Sequence, residues 1–406
     1  MADFARSAHP GVQAQLDRLS MLSPAGDRLG LERTREILNR LGRPEDKLPP
    51  IFHVAGTNGK GSTVAFLRAA LEAAGYTVDV FTSPHLVRFN ERIRIAGKLI
   101  EDDELAALLT EVVNASADVE PSFFEVATIV AFHAFARTPA DACILEVGLG
   151  GRLDATNVIE QPLVTGIASL GLDHQHFLGD DIVSIAREKA AIAKAGVPLV
   201  SLAQLPEAEE AIAEVADERG APLLLEGRDW TVGGDIRPGL MGAHQRRNAA
   251  LAWEMLSAQD RLNVPRDTFL GAIATTRWPA RFQQLWDGPL TKGKATWIDG
   301  AHNAEAAAAL GKVLEERGPM HIALGILANK DADAIVQVLA PHALSLTFVP
   351  VPDHAHHDPA ELARKFDGRA APSAEEALAD LPEPRLVAGS LYLAGAVLAA
   401  NGEVPD

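Results

Sequence analysis

The sequence predicts an α/β protein with two domains, a larger one built on a mainly parallel sheet and a smaller α/β domain that follows it. Short runs of consecutive apolar residues alternate with segments of helical periodicity, which is typical of strands covered by helices on both faces. A glycine- and proline-rich segment at 282–296 interrupts this alternation, which then begins again. The length of 406 residues also favours two domains.

The elements of the first domain are predicted in order from their residue patterns. An apolar strand at 50–55 runs into a glycine-rich turn, and the helix that follows at 62–74 ends at Gly75. Apolar or β-branched runs predict further strands at 76–81, 142–147 and 163–168. The segment 180–195 is predicted to be a helix, with Gly196 in the position after its end.

The second domain repeats the same alternation on a smaller scale. Strands are predicted at 296–299, 321–326, 345–349 and 386–388, with helices between them. We therefore predict a first domain at 1–285, a linker at 286–294 and a second domain at 295–406.

Composition and charge exclude several classes of protein. Apolar residues make up 47% of the chain and charged residues 23%, which is typical of a folded domain rather than a disordered one. The net charge of −18 disfavours nucleic acid or an anionic membrane as a general partner. Cys143 is the single cysteine, so an intrachain disulfide is impossible. The first 22 residues contain no signal-like apolar run, and we expect a cytoplasmic protein.

A glycine-rich loop between the first strand and the first helix predicts a phosphate-binding site. Main-chain N–H groups of such a loop, together with the helix N-terminus, attract an anion, and Lys60 supplies charge for the β- and γ-phosphates. The segment is a variant of the usual pattern because Gly61 follows the lysine, and a plain glycine-rich turn is the alternative. The predicted ATP contacts in this loop are Gly56, Thr57, Asn58, Gly59, Lys60, Gly61, Ser62 and Thr63.

Together with this loop, a series of motifs resembles the bifunctional dihydrofolate synthase/folylpolyglutamate synthases of the Mur ligase superfamily. In order, the motifs are LGLER at 29–33, TSPHL at 82–86, NERI at 90–93, EVGLGGRLDATN at 146–157, DH at 173–174, REKA at 187–190, DGAHN at 299–303 and GSLYL at 389–393. Their order and spacing together carry the resemblance.

The resemblance implies an N-terminal P-loop ATPase domain and a C-terminal Rossmann-like domain that together form a monomeric ligase. Such an enzyme uses ATP and two Mg²⁺ ions to add L-glutamate to dihydropteroate and to a reduced folate, tetrahydrofolate, through an acyl phosphate. A monofunctional dihydrofolate synthase or another Mur-type amino-acid ligase is the alternative.

The resemblance also implies that Ser83, Glu146 and His174 bind Mg²⁺. Each follows a predicted strand, and the carboxyl ends of parallel strands share one edge of a sheet. Histidine is an unusual ligand for a cation that prefers oxygen. The alternatives are a turn residue for Ser83, a salt-bridged acid for Glu146 and a hydrogen-bonded loop residue for His174.

By the same resemblance, Lys189 is carbamylated by CO₂ and then binds or orients a second Mg²⁺. The reaction needs a neutral amine, so we expect burial or a neighbouring cation to lower the pKa of Lys189. The alternative is a surface lysine paired with Glu188 or Asp181. Lys60, Lys189 and His302 are the residues expected to act in catalysis.

Further nucleotide and glutamate contacts are implied by the resemblance. Asn248 contacts the adenine, Arg281 approaches the phosphates and Asp299 accepts from the ribose, whereas His302 and Ser390 bind glutamate. The residue before Arg281 is alanine, where the family segment usually has glycine. The alternatives are helix caps for Asn248, His302 and Ser390 and an Asx turn for Asp299.

The folate side is predicted from a third group of residues. A phenylalanine ring there can stack on a pterin, although we expect one of the two rings at 123–124 to pack inward. Asp154 either hydrogen-bonds the pterin or caps the turn at Asn157. The group comprises Gly26, Asp27, Arg28, Leu29, Phe123, Phe124, Arg152 and Asp154, of which Asp27 and Arg28 depart from the family pattern. The histidines at 354, 356 and 357 are interpreted as a solvated loop rather than a metal site.

Two other functions are disfavoured. Cell-wall ligases of the superfamily carry a further N-terminal domain, whereas about 50 residues precede the phosphate loop here. A nucleotide-dependent switch would not need Glu146, His174, Lys189, Asp299 and His302 in the family's positions.

Overall fold

The computed structural model describes residues 6–22 and 29–405. The chain divides into two compact units. The first contains the residues up to Gly239 together with Arg246–Thr276, and the second contains Leu240–Gln245 together with the residues from Arg277 onward. The division therefore falls about ten residues before the predicted linker, which lies inside the second unit.

A sheet of eight strands forms the centre of the described part of the first unit. The strands are β1 (Ile51–Ala55), β2 (Val78–Phe81), β3 (Ile93–Ile95), β4 (Lys98–Leu99), β5 (Ala142–Glu146), β6 (Val164–Ile167), β7 (Leu199–Ser201) and β8 (Leu223–Leu225). Their order is β4-β3-β2-β5-β1-β6-β7-β8. Along this spatial order, each pair of neighbours from β2 to β8 is parallel. At the other edge, β3 pairs with β2 and with β4 in the antiparallel sense. The predicted parallel sheet is confirmed.

Helices cover this sheet because its central strands are buried and mainly apolar. All five residues of β1 are buried, as expected for a strand with helices on both faces. The helices are α1 (Pro10–Leu22), α2 (Glu32–Arg40), α3 (Lys60–Ala73), α4 (Asp102–Ala115), α5 (Phe123–Phe135), α6 (Gln175–Leu178), α7 (Ile182–Ala190), α8 (Pro206–Arg219), α10 (Arg266–Thr275) and most of α9 (Ala243–Ser257), with 3₁₀ turns at Pro44–Lys47, Phe89–Arg92 and Ala155–Val158.

The prediction of a helix through residue 195 is wrong at its C-terminal end. Helix α7 stops at Ala190, and the next residues form turns that lead into β7. Gly196 has a φ of +72°, and its N–H donates to the main-chain oxygen of Gly220. The glycine therefore serves the turn before the strand rather than the end of the helix.

The second unit has a sheet of six strands in the part that the structure describes. They are β9 (Gln283–Gln284), β10 (Thr296–Ile298), β11 (Met320–Leu324), β12 (Ala343–Phe348), β13 (Arg369–Ala370) and β14 (Arg385–Ala388), in the order β13-β12-β11-β14-β10-β9. All pairings are parallel except that of β9 with β10. The helices are α11 (Ala304–Arg317), α12 (Ala332–Leu339), α13 (Pro359–Lys365), α14 (Ala374–Asp380) and α15 (Leu391–Ala400), with a 3₁₀ turn at Ala340–His342.

The segment 282–296, predicted to separate the domains, is part of this second unit. Its strand β9 pairs with β10, so that Gln283 lies opposite Ile298. Arg385 is buried and donates to the main-chain oxygens of Thr291 and Lys294, at 2.8 and 3.3 Å. These bonds hold the segment on the second sheet. Within residues 6–22 and 29–405, no helix is long and apolar enough to cross a membrane.

Candidate functional site

The phosphate loop joins the end of β1 to the start of α3. Hydrogen bonds to the segment after β6 hold it in place. The N–H groups of Thr57 and Asn58 donate to the main-chain oxygen of Ser169, at 2.8 and 3.1 Å. The Thr57 hydroxyl donates to the oxygen of Gly171 and accepts from its N–H, both at 3.1 Å. The phosphate loop and the loop that leads to His174 are therefore one bonded structure.

Two lysine amines meet at this loop. Lys60 Nζ donates to the main-chain oxygens of Gly56 and Thr57, at 3.1 and 3.2 Å, and Lys189 Nζ donates to that of Gly56 at 3.0 Å. Lys189 is only 4% exposed. Its burial and the nearby charge of Lys60 lower the pKa of Lys189 to about 7. The predicted causes of a lowered pKa are confirmed, and the alternative of a surface lysine is wrong.

Asn248 lies against the phosphate loop from α9. Gly59 has a φ of +90°, and a methyl group in its place would overlap Asn248 Oδ1 and lie 3.0 Å from Cγ. Asn248 is buried and lies inside α9 rather than at its start, so it is not a helix cap. Glycine at position 59 therefore serves both the left-handed conformation and the close approach of the amide.

Ser83 and Glu146, two of the predicted Mg²⁺ ligands, are in contact. β2 and β5 are neighbours in the sheet, and the N–H of Ser83 donates to Glu146 Oε2 at 3.3 Å. The third, His174, is exposed and has a φ of +53° in the loop bonded to Thr57. In the described residues, no three His, Cys, Asp or Glu side chains are grouped as a metal site. The predicted set combines two such residues with a serine hydroxyl.

A further oxygen at the phosphate loop is suited to a hard cation. Ser62 lies in the first turn of α3, and its Oγ is buried without a hydrogen-bond partner in the described structure. Mg²⁺ prefers oxygen ligands, and a serine in this position of a phosphate loop commonly supplies one. The donor set at this edge of the sheet therefore fits Mg²⁺.

Asp154 organises the loop that follows β5. Its Oδ2 accepts from the N–H groups of Gly148 and Leu149, at 3.0 and 2.9 Å, and its Oδ1 accepts from that of Thr156 at 2.9 Å. Burial raises the pKa of Asp154, whereas these bonds lower it. The interpretation of Asp154 as the cap of the turn at Ala155–Val158 is confirmed, and its contact with a pterin stays a prediction.

This loop packs between Phe124 and the backbone of α7. A methyl group at Gly148 would overlap the ring of Phe124, and one at Gly151 would lie 2.6 Å from the main-chain oxygen of Glu188. Arg152 forms an ion pair with Glu188 at 2.8 Å. Both glycines are therefore required for close packing, and the loop presents its start to an aromatic ring.

The neighbouring Phe123 packs in a different direction. Its ring meets that of Phe89 edge-on, with centroids 5.7 Å apart. The buried guanidinium of Arg92 lies 5.4 Å from the centroid of Phe123. The ring of Phe124 also packs against this core, with its centroid 5.8 Å from that of buried Phe81, so both phenylalanines are partly buried rather than one alone.

An ion pair without a predicted role joins the start of α5 to the LGLER motif. Glu125 closes a capping box with Ser122, and its carboxylate also binds Arg33, at 3.1 and 3.2 Å. The S-x-x-E pattern before an apolar helix signals the capping box but not the arginine. Leu29 is half-buried at the start of this motif, whereas the predicted contacts Gly26, Asp27 and Arg28 lie outside the described residues.

In the second unit, Arg281 lies between two residues with left-handed backbone. Ala280 has a φ of +54° and Phe282 a φ of +44°. Asp299 holds this turn, because its Oδ2 accepts from the N–H of Phe282 and its Oδ1 from that of Ala301, both at 2.8 Å. The Asx turn is therefore confirmed. Burial raises the pKa of Asp299, and the charge of Arg281, which lowers it, offsets only part of this effect.

His302 and Ser390 differ in their local roles. His302 Nδ1 donates to the main-chain oxygen of Gly300 at 2.8 Å, and α11 is capped by Asn303 instead. Ser390 is 1% exposed, and its Oγ accepts from the N–H of Tyr392 at 3.1 Å, which caps α15. The cap interpretation is wrong for His302 and confirmed for Ser390. The contacts of both residues with glutamate stay predictions.

The histidine-rich loop after β12 is more ordered than a solvated loop. The ring of His354 stacks on that of Tyr392, with centroids 3.9 Å apart. His356 Nδ1 donates to the main-chain oxygen of His354, and His357 Nε2 donates to that of Lys330. The interpretation as a solvated loop agrees with the exposure of Asp353, Ala355 and Asp358, whereas the three histidine rings are half-buried and bonded to main-chain oxygens.

Comparisons with known proteins cover nearly the whole chain. No protein-family model matches it. The dihydrofolate synthase/folylpolyglutamate synthase of Bacillus subtilis is 39% identical over 322 residues, which cover 72% of this chain and 73% of the relative. The structure of Escherichia coli FolC in complex with DHPP and ADP is 32% identical, with a TM-score of 0.86 and 97% of each chain covered. A bifunctional folylpolyglutamate synthase/dihydrofolate synthase with Mn, AMPPNP and L-glutamate bound is 30% identical, with a TM-score of 0.86 and 98% and 99% covered.

Proposed function

Because the chain belongs to the dihydrofolate synthase/folylpolyglutamate synthase family, we propose that the phosphate loop and Lys189 form the centre of a folate–glutamate ligase. The enzyme uses ATP to add L-glutamate to dihydropteroate, giving dihydrofolate, and to tetrahydrofolate, giving folylpolyglutamate. The observation that carries this function is the convergence of the Lys60 and Lys189 amines on the oxygen of Gly56.

The roles of the other site residues follow from their chemistry and from the family. In the first unit, the loop N–H groups and Lys60 bind the phosphates and Asn248 contacts the adenine. In the second unit, Arg281 binds phosphate oxygens and Asp299 accepts from the ribose. Each Asp299 oxygen accepts one hydrogen bond from a main-chain N–H group, which leaves a second lone pair for a hydroxyl.

The metal ions would be held at the edge of the first sheet. Ser83, Glu146 and His174 supply one set of donors, and Lys189 as a carbamate would supply or orient a second. Mg²⁺, when bound, neutralises the charge of the transferring phosphoryl group. The unpartnered Ser62 Oγ supports this arrangement, because it is a buried hard oxygen at the phosphate loop.

The reaction divides into two steps that this chain's residues orient. A carboxylate of the folate substrate attacks the γ-phosphate, giving an acyl phosphate and ADP, while Lys60 offsets the negative charge. The α-amine of glutamate then attacks the acyl carbon, and phosphate leaves. The bond from His302 Nδ1 to the main-chain oxygen of Gly300 fixes the ring just before α11, and we place a contact with glutamate at this residue.

The remaining substrate contacts concern the folate. Phe124 and Asp154 face the loop after β5, and a pterin can stack on the first and hydrogen-bond the second. Arg152 in this loop, Phe123 at the start of α5 and Leu29 in the LGLER motif are proposed as further folate contacts. Ser390 is proposed to bind glutamate in the second unit.

We also propose that the enzyme works as a cytoplasmic monomer without a nucleic-acid or membrane partner. The net charge of −18 supports the absence of polyanionic partners. The single cysteine, Cys143, is buried, which suits a reducing compartment.

Phosphate release in the presence of L-glutamate tests the function. Turnover with dihydropteroate and with tetrahydrofolate, each lost in the Lys60→Ala variant, is the expected result. Turnover with one of them alone would leave a monofunctional enzyme. Phosphate release that does not depend on an amino acid would contradict the ligase and favour a nucleotide switch.

A further inference from the structure

A buried line of three polar side chains crosses the first unit beside the phosphate loop. His53 lies in the middle of β1 and is fully buried. Its Nε2 is 2.8 Å from Thr156 Oγ1, and the hydroxyl of Thr156 donates in turn to Asp154 Oδ1. The bond between Thr156 and Asp154 is local in sequence, whereas the bond between His53 and Thr156 joins two distant segments of the chain.

The direction of each bond in this line is determined by its donors. The threonine hydroxyl has one hydrogen, which it gives to the carboxylate of Asp154. His53 must therefore donate through Nε2–H. Burial, together with the charge of Lys194, lowers the pKa of His53 to about 3, so the ring is neutral. Its donation to Thr156 places the single proton on Nε2.

The unpaired Nδ1 of His53 indicates that a histidine at this position is not there for packing alone. Nδ1 is buried and has no hydrogen-bond partner in the described structure. An apolar residue between Phe52 and Val54 would avoid that cost, because both neighbours are fully buried hydrophobic residues. The retained imidazole therefore points to a role for its N–H.

The line connects two parts of the proposed active site. His53 lies three residues before Gly56 on the strand that leads to the phosphate loop. At the other end, Asp154 holds the N–H groups of Gly148 and Leu149, and Gly148 lies against the ring of Phe124. Any shift of the carboxylate would move the loop that faces this ring.

We propose that His53 and Thr156 are positioning residues for the pteridine-bearing substrate, because they fix the Asp154 carboxylate and the loop at 148–154. The proposal rests on the proposed function for the identity of that substrate. Neither residue touches the reacting atoms, and both act through Asp154.

The matched variants are Thr156→Val, which keeps the shape and removes the hydroxyl, and Thr156→Ser, which keeps the hydroxyl. We expect Thr156→Val to raise the KM for dihydropteroate about tenfold, the loss typical of one hydrogen bond to a charged group. The KM for ATP should stay within about twofold, and Thr156→Ser should restore most of the difference. Equal increases in both KM values, or no increase in either, would overturn the proposal.

A second measurement is read from the wild-type enzyme, and a variant serves only to assign its signal. In wild-type enzyme labelled with ¹⁵N-histidine, the signal of His53, identified by its loss in His53→Gln, should show the neutral Nε2–H tautomer from pH 5 to pH 9. A Nδ1–H tautomer or a titrating ring would overturn the proposal. Failure of the proposed function itself appears separately, as wild-type enzyme that does not turn over dihydropteroate.

Discussion

The side-chain amines of Lys60 and Lys189 donate to one acceptor, the main-chain oxygen of Gly56, at 3.1 and 3.0 Å. Lys60 lies at the start of α3 and Lys189 near the end of α7, so the two helices present positive charge to the same point. Because like charges disfavour each other, the charge of Lys60 adds to burial in lowering the pKa of Lys189. The charge of Lys60 thus favours the neutral amine that the chemistry proposed for Lys189 requires.

The lowered pKa predicts how activity depends on pH and CO₂. With a pKa of about 7, Lys189 is mainly neutral above pH 7 and can react with CO₂, whereas below pH 7 it is protonated and cannot. We expect CO₂-depleted enzyme at pH 8 to regain activity when bicarbonate is added. Lys189→Gln should lose about a hundredfold or more in kcat without such a response.

The control for this experiment is Lys98→Ala, which removes an exposed lysine of β4 and should leave the bicarbonate response intact. ¹³C NMR with labelled bicarbonate measures the carbamate directly. Wild-type enzyme that is fully active after CO₂ depletion and shows no carbamate signal would contradict the prediction.

Gly59 and Asn248 predict a coupled effect on nucleotide binding. Gly59→Ala places a methyl group where it overlaps Asn248 and imposes a left-handed alanine, so we expect the KM for ATP to rise at least about tenfold. In the double variant with Asn248→Ala, the overlap is removed and the two effects should be less than additive. Gly196→Ala provides a control, because its φ of +72° is also left-handed but nothing lies within 4 Å. That control should lower stability and leave the KM for ATP unchanged.

The elements that could be predicted from sequence are those whose residues are consecutive. The phosphate loop, the strands that flank it and the capping box of Ser122 and Glu125 are local patterns. Contacts such as Arg33 with Glu125 or His53 with Thr156 join residues about a hundred positions apart, and no local pattern indicates them. The bond of Gly196 to the main-chain oxygen of Gly220 is likewise made to a distant turn.

The alanine at position 280 departs from the residue that both the backbone and the family pattern favour. Its φ of +54° favours glycine, which the family usually has, and a left-handed alanine costs about 1–2 kcal/mol. Ala280→Gly removes that strain but loses a buried methyl and adds freedom to the unfolded chain, each about 0.5–1 kcal/mol. We therefore expect a change within about 1 kcal/mol in the free energy of unfolding, measured with denaturant.

The matched control for Ala280 is Ala307, a fully buried alanine inside α11. Ala307→Gly loses a methyl group and helix propensity without relieving strain, so we expect a loss of about 2 kcal/mol. Equal losses at the two positions would show that Ala280 carries no strain.

Asp79 predicts a pH dependence of stability that is separate from catalysis. The residue is fully buried in β2, where Oδ1 accepts from the N–H of Ala96 at 2.8 Å and Oδ2 has no partner in the described structure. Burial raises the pKa of Asp79 from 3.8 to about 7. Stability from this group is therefore fully present below pH 3.8 and is lost as the pH rises through 7.

Between pH 5 and pH 8, we expect the free energy of unfolding to fall less in Asp79→Asn than in the wild type. The difference between the two decreases should be about 1–3 kcal/mol. Denaturant unfolding at several pH values measures the effect. Glu104→Gln, which changes an exposed carboxylate in the first turn of α4, is the control and should leave the pH dependence as it is. A variant whose curve runs parallel to that of the wild type would contradict the assignment.

A comparison of Ser390 with Ser373 distinguishes a helix-capping role from a contact with substrate. Its hydroxyl caps α15, as that of Ser373 caps α14, so Ser→Ala at either position should cost about 1 kcal/mol in the free energy of unfolding. If Ser390 also binds glutamate, Ser390→Ala alone should raise the KM for glutamate, by about tenfold for a lost hydrogen bond to a charged group. Steady-state kinetics with varied glutamate and saturating ATP measure this difference. An unchanged KM in both variants would restrict Ser390 to the helix cap, and the contact with glutamate would then have to come from other residues of the second unit.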